Sequence, residues 1–384
     1  MNSFERLKAT YNFQPVDHLF RRDFYIWNEA LIRWQGEGMP IKVFLDKSSA
    51  ETIEPGEYPQ ELNKLFGYDE RADFPIGMLG WCEPAFVPDI EEKIIETTDE
   101  YDIVRDKAGR IVRFKRGKRH GFMPTYLKHA VACDKDWEKD ISLLLDVNTP
   151  ERWKDMSNVI EGAKTADVQG KMISQRTIGG YMYLRALVGP EDICYMLIDN
   201  PGLVHKMMQR WLEMADAVTA RIQRHVEIDE LFLAEDISYN HGLLISPKMI
   251  REFLFPYYRQ LIANIRSRQK NKHLFVQIDT DGFVGNTIDL YLETGMDVMS
   301  PFEVAAGNDV VDIAKKYPNL VMTGGIDKRI LTQGREAIDD YLKRLIPFMV
   351  KRGGYIPTCD HGVPDNVSYD NYMYYRKRIM ELDS

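Results

Sequence analysis

Leu274-Phe275-Val276-Gln277-Ile278-Asp279-Thr280-Asp281-Gly282 runs from an apolar core into two acids and a glycine. The same order returns in Asp297-Val298-Met299-Ser300-Pro301-Phe302-Glu303 and in Leu320-Val321-Met322-Thr323-Gly324-Gly325-Ile326-Asp327-Lys328. Short apolar runs that end in acids and glycines, separated by helix-length segments, read as successive βα units. In a closed parallel barrel the carboxyl ends of the strands share one mouth, so the groups that follow each run converge there.

Working outward, Lys171-Met172-Ile173-Ser174-Gln175 and Leu231-Phe232-Leu233-Ala234-Glu235-Asp236 read as earlier strands, and Gly353-Gly354-Tyr355-Ile356-Pro357-Thr358 as the last. Amphipathic segments at 203–225 and 247–268 supply helices between them. Upstream, residues 25–34 have helical spacing, and Pro55-Gly56-Glu57-Tyr58-Pro59 breaks the chain into a loop. Residues 95–105 and 110–115 alternate as strands around the turn Asp106-Lys107-Ala108-Gly109. The expected fold is α/β, a (β/α)8 TIM barrel with an N-terminal extension and a decorating β-hairpin. Lacking repeats or linkers, residues 1–384 form one domain, with N-terminal helices and the hairpin in 1–150 and most of the barrel in 151–384.

The 384 residues are 44% hydrophobic and carry a net charge of −9, with the acids spread along the chain. That spread argues against nucleic acid or an anionic membrane as the main partner and favours a small molecule or another protein. No apolar run approaches the roughly 18–20 residues of a membrane span, and the first residues lack the apolar core of a signal peptide. The expected location is cytoplasmic. Cys82, Cys133, Cys194 and Cys359 make no CxxC pair, so reduced thiols are expected, and only Cys359 has neighbours that invite chemistry.

The strand ends deliver Gln175, Glu235, Asp236, Gln277, Asp279, Asp281, Glu303, Asp327, Lys328, Cys359, Asp360 and His361 to the mouth. Packing alone gives no reason for such a collection. The acid/base candidates are Asp279, Glu235, Asp236 and His361. Because Glu235 and Asp236 are adjacent at a strand end, one points into the mouth and the other away, and which is which stays open. Substrate contacts are expected from Gln175, Gln277, Tyr239, Glu303, Asp327 and Lys328. Asp281 reads equally well as the cap of a helix beginning near Val284. Cys359 and His361, two residues apart, suit a borderline ion such as zinc, with Asp279 as a third ligand.

Beyond these readings, the chain resembles the uroporphyrinogen decarboxylase superfamily, in its corrinoid-dependent methyltransferase branch. The resemblance spans most of the chain. It rests on Ala234-Glu235-Asp236-Ile237-Ser238-Tyr239, Leu244-Ile245-Ser246-Pro247, Arg251-Glu252-Phe253 and Pro256-Tyr257-Tyr258. Pro301-Phe302-Glu303 with Asn308-Asp309, Gly324-Gly325-Ile326-Asp327-Lys328, and the run from Tyr355 to Pro364 complete it. Zinc methyltransferases of this branch carry a His-x-Cys pair after a barrel strand and a later Cys. Here Gln277 and Asp279 stand in the first two places and Cys359 in the third. The decarboxylases use an arginine-rich N-terminal segment and a catalytic aspartate. Here Arg21-Arg22 is followed by Asp23-Phe24-Tyr25, and Phe74-Pro75-Ile76-Gly77-Met78 lacks the aspartate.

The resemblance implies methyl transfer between a small O- or N-methylated substrate and a corrinoid (cobalamin), free or carried on a partner corrinoid protein. The alternatives are decarboxylation of a small carboxylic acid or porphyrinogen, and a corrinoid- or metabolite-binding protein without catalysis.

Overall fold

Strands Glu230–Ala234 and Phe275–Asp279 pair in parallel, with Gln277 opposite Phe232 and Asp279 opposite Ala234. This pairing is the centre of a computed structural model that describes residues 1–42, 58–116 and 124–383. Around it, seven parallel strands follow chain order: Asp73–Leu79, Met172–Ile178, Glu230–Ala234, Phe275–Asp279, Val298–Ser300, Val321–Thr323 and Tyr355–Ile356. The extended residues 19–26 take the eighth place. The Asp69 N–H donates to the Arg21 carbonyl at 2.8 Å, and the Val363 N–H to the Tyr25 carbonyl at 2.9 Å. A parallel bridge joins Ile26 to Val363. This segment closes the (β/α)8 barrel between its first and last strands.

Period-two alternation sorts the strand side chains. Leu231, Leu233, Val276 and Ile278 join the large core cluster beneath the helices. Ser174, Glu230, Gln277 and Ser300 bond one another or shared partners within the barrel. Helix Ser3–Tyr11, started by a capping box in which Asn2 and Glu5 satisfy each other's backbone N–H groups, plugs the floor. Its Leu7 and Tyr11 pack with Phe20, Met172, Val298, Val321 and Ile356.

Several expectations need correction. Residues 95–105 are two strands, Lys93–Thr97 and Tyr101–Arg105, because Thr98 caps a turn by accepting from the N–H groups of Glu100 and Tyr101. With Ile111–Lys115 and Thr125–Lys128 they form a four-stranded antiparallel sheet rather than a hairpin. The segment 247–268 is two helices, Pro247–Phe253 and Phe255–Arg268, because Pro256 has no N–H to continue the ladder. The first barrel strand, Asp73–Leu79, escapes sequence reading because Pro75 and Gly77 break the apolar pattern. The helix expected at 203–225 is Pro201–Ile222. The loop expected at 55–59 lies largely outside the described residues. Among the described residues no helix is long and apolar enough to cross a membrane.

Candidate active site

Two crossing loops build the mouth. The N–H groups of Glu235 and Asp236 both donate to the Asp279 carbonyl, at 2.8 and 3.2 Å, which ties one strand end to the next. Asp236 adopts φ 48°, a conformation that an L-residue with a Cβ enters only when its surroundings force it. That twist separates the two carboxylates. Glu235 turns outward and is fully buried, accepting from the hydroxyls of Tyr258 and Tyr291. Asp236 turns inward and accepts from the Arg185 guanidinium at 2.7 Å.

The second loop follows Asp279. Gly282 has φ +83°, and a Cβ there would lie 2.8 Å from the Tyr239 backbone, so only glycine fits. Its N–H donates to Glu303 at 2.9 Å. Asp281 is consequently held over the mouth, with the His361 Nε2 3.7 Å from its carboxylate. It does not cap the following helix, since Val284 donates instead to the Asn308 side chain at 3.1 Å. The Tyr25 hydroxyl shares a hydrogen bond of 2.8 Å with the His361 Nδ1. Lys328 lies 3.7 Å from Glu303 and 3.9 Å from Asp360.

Four carboxylates, Asp236, Asp279, Asp281 and Glu303, thus share the mouth with two cations, Arg185 and Lys328. Like charges in a partly dry site suppress one another's ionisation. Desolvation, followed by the charges of Asp236, Glu303 and Asp279, pushes Asp281 up to about 8. Desolvation also raises Asp279, to about 6, against the hydrogen bond donated by Ser300. His361 moves the other way, to about 4, through desolvation and then the Lys328 charge. At neutral pH the mouth therefore holds a protonated Asp281 beside a neutral imidazole. Cys82, on the loop after the first barrel strand, is close enough to Asp236 and Arg185 to feel both. Although Cys82 is exposed, desolvation by the surrounding loop and then the Glu83 charge lift its thiol to about 11.

The structure brings together Asp236, Asp279, Glu303, Lys328 and His361 from the sequence expectation. Gln277 lies below them, donating to the Ser300 hydroxyl at 2.8 Å. Tyr239 stands half-exposed beside Gly282. Gln175 faces the helix layer and donates to the carbonyls of Ile76 and Arg176, so it is no substrate contact. Asp327 is occupied by the backbone and guanidinium of Arg329. Glu235 is locked away behind its strand, which removes it from the acid/base set.

The trio Asp279, Cys359 and His361 is not assembled. Cys359 is fully buried on the outer side of the last strand, and its N–H donates to Asp23 at 3.0 Å. Burial, followed by the charges of Asp23 and Asp360, raises its thiol well above its ordinary value. Among the described residues no three His, Cys, Asp or Glu side chains gather as a metal cluster. These residues do not fit a zinc ion.

Tyr25 and Arg185 belong to the mouth and are absent from the sequence expectation, which places Asp281 there but leaves it equally as a helix cap. For Asp281 the signal was present: it continues the two-residue spacing of Gln277 and Asp279. Arg185 comes from the helix Gly180–Val188, and its reach to Asp236 has no sequence signature.

Comparison with known proteins adds three findings. Residues 156–382 match the family model described as uroporphyrinogen decarboxylase (URO-D). A curated uroporphyrinogen decarboxylase of Hydrogenobaculum sp. (strain Y04AAS1) is 21% identical over 188 residues, 48% of this chain. The match spans 50% of that relative's own length. A solved structure described as a methyltransferase from Methanosarcina mazei superposes over 100% of both chains, with a TM-score of 0.62 and 14% identity.

Proposed function

Because the chain belongs to the uroporphyrinogen decarboxylase family, we propose that it is an enzyme of that family's methyl-transferring kind, moving a methyl group from a small O- or N-methylated donor to a corrinoid. One arrangement carries this reading: the turn at Gly282 holds Asp281 over the mouth among Asp236, Asp279 and Glu303, whose charges together with desolvation push its carboxyl up to about 8. A methyl bound to oxygen or nitrogen leaves slowly because the departing atom takes an electron pair and becomes a strong base. An acid positioned against that atom lowers the barrier.

In the proposed step the bond from methyl carbon to the donor atom breaks as the Asp281 proton moves onto that atom. Asp281 becomes a carboxylate, with the Nε2 edge of the neutral His361 ring facing it at 3.7 Å. The Tyr25 hydroxyl fixes the orientation of that ring. The corrinoid enters as the second substrate and supplies the electron pair that receives the methyl. The negative balance of the mouth favours a neutral or cationic donor. Whole-length likeness in fold to a solved methyltransferase supports the reading.

A second reading, decarboxylation of a small acid, follows from the family's name. The acidic mouth disfavours it for porphyrinogens, which carry many carboxylates.

The test is an anaerobic assay of reduced cobalamin with a panel of methyl ethers and methylamines, followed by absorbance of the corrinoid. Methylation by the wild type should fall roughly 10²- to 10⁴-fold in Asp281→Asn. Carbon dioxide released from a candidate acid, with no corrinoid methylation from any donor, would overturn the proposal.

A further inference from the structure

A row of polar side chains climbs the inside of the barrel from its floor to the mouth. At the bottom is Glu230, which meets the hydroxyls of Ser174 at 2.6 Å and Tyr11 at 2.8 Å. The same Tyr11 hydroxyl lies 3.4 Å from the Gln277 Oε1. Gln277 donates through Nε2 to the Ser300 hydroxyl at 2.8 Å, and Ser300 donates in turn to Asp279. Tyr11, Ser174, Glu230, Gln277 and Ser300 are all buried. Barrel interiors are ordinarily filled by branched apolar side chains, so a buried polar row is a cost that packing does not explain.

Counting hydrogens gives the row a direction. A hydroxyl carries one hydrogen, and an amide offers hydrogens only at its nitrogen. Because Ser300 accepts from Gln277, its own hydrogen is left for Asp279, which therefore acts as the acceptor. At the other end the Tyr11 hydroxyl stands between two oxygens, Glu230 Oε1 and Gln277 Oε1. With Glu230 ionised, Tyr11 donates to it and the Gln277 oxygen loses its donor. With Glu230 neutral, the acid donates to Tyr11 and Tyr11 donates to Gln277, so every member of the row is satisfied. A buried polar group without a partner is costly, which favours the complete row. The surroundings agree: burial raises the Glu230 pKa against the bonds from Ser174 and Tyr11, with the Asp73 charge adding to the rise and the Arg176 charge opposing it.

We propose that Tyr11 and Gln277 are positioning residues, a one-way donor chain through which a neutral Glu230 at the floor holds Asp279 as an acceptor at the mouth. Phenol, amide and hydroxyl carry no charge, so the coupling between the two acids runs through the direction of the hydrogen bonds. The charged groups that face Asp279 directly are Asp236, Asp281 and Arg176. The consequence for catalysis rests on the methyl-transfer reading, in which an ionised Asp279, with Asp236 and Glu303, keeps the proton on Asp281.

The experiment follows the Asp279 carboxyl by carbon-13 NMR of labelled aspartate in the full chain. It uses no turnover, so its failure is distinct from failure of the methyl-transfer reading. Tyr11→Phe removes the relay hydroxyl and keeps the ring, which packs edge-on to Phe275 at 5.0 Å. Gln277 is then free to turn its amide and take the Ser300 hydrogen for itself. Asp279 should titrate above its value of about 6, by roughly half a unit to one unit, the effect of one hydrogen bond. Glu230→Gln keeps a donor toward Tyr11 and should leave Asp279 as it is in wild type, whereas Glu230→Leu should raise it as Tyr11→Phe does. Ser174→Ala, which touches Glu230 outside the chain, is the control for a loosened barrel and should leave Asp279 unmoved. Asp279 unmoved in Tyr11→Phe or in Glu230→Leu, or raised equally in Glu230→Gln or Ser174→Ala, would overturn the proposal.

Discussion

Asp281 differs from an aspartate in water by what surrounds it rather than by any special chemistry of its own. Its proton, lost near pH 4 in the unfolded chain, is kept to about 8 in the folded one. Between those values the unfolded state binds fewer protons than the folded state, so this group's contribution to stability falls as pH rises. Asp281→Asn, a mimic of the neutral acid, should unfold at a temperature close to wild type at pH 4 and progressively above it towards pH 8.5. Calorimetry at a series of pH values checks this, and a gap that does not widen would remove the retained proton on which the proposed chemistry rests. His361 has the opposite sign: held neutral to about 4, it contributes stability that is lost as pH falls from about 6.5 towards that value. The two together place the working range of the mouth between roughly pH 5 and 8, where acid and imidazole are both uncharged.

Within single elements, much of the site was legible in the sequence because strands keep a strict period of two. Gln277 and Asp279 share the inner face of Phe275–Asp279, as their spacing required, and Ser300 reaches both from the neighbouring strand. What was not legible lies where strands end. Glu235 continues the outward face of Leu231 and Leu233, whereas the positive φ of Asp236 just beyond it is announced by no residue pattern. Cys359 and His361 are two apart, yet only Cys359 stays in strand-like pairing, through its bridge to Ile326. The chain then turns at Gly362, where a Cβ would come 2.1 Å from the Tyr25 ring, and the turn carries His361 to the mouth. The pairing of Ser300 with Asp279 can be tested at this scale. Its donated hydrogen bond is the largest influence lowering a carboxyl group that desolvation raises. Ser300→Ala should therefore move Asp279 upward from about 6, towards neutrality, as followed by carbon-13 NMR of labelled aspartate. An unmoved titration would mean that the bond does not form in solution.

Across the whole molecule, the barrel is closed by contacts between the two ends of the chain. Asp23, in the segment that fills the eighth strand position, accepts from the hydroxyls of Tyr372 at 2.6 Å and Tyr375 at 3.0 Å. Both tyrosines lie on the last helix, Tyr369–Leu382. Arg376 of that helix is fully buried, 3.7 Å from Asp23, with its guanidinium over the rings of Tyr68 and Tyr375. The sequence places Asp23 some 350 residues from these partners and reads them only as an aromatic-rich C-terminus, so the closure could not be foreseen. Cys359 is tied to the same centre, since its N–H donates to Asp23 and its side chain is fully buried. A buried charge that loses its partner is destabilising by about 3–5 kcal/mol, far more than the net worth of an intact pair. Arg376→Met keeps much of the side-chain volume and leaves Asp23 uncompensated, so urea unfolding should show a loss of about that size. Adding Asp23→Asn to the same chain should recover part of the loss, because the stranded charge is then gone. A single variant that unfolds within about 1 kcal/mol of wild type, the ordinary range of an exposed ion pair, would show that the ends are held by packing alone.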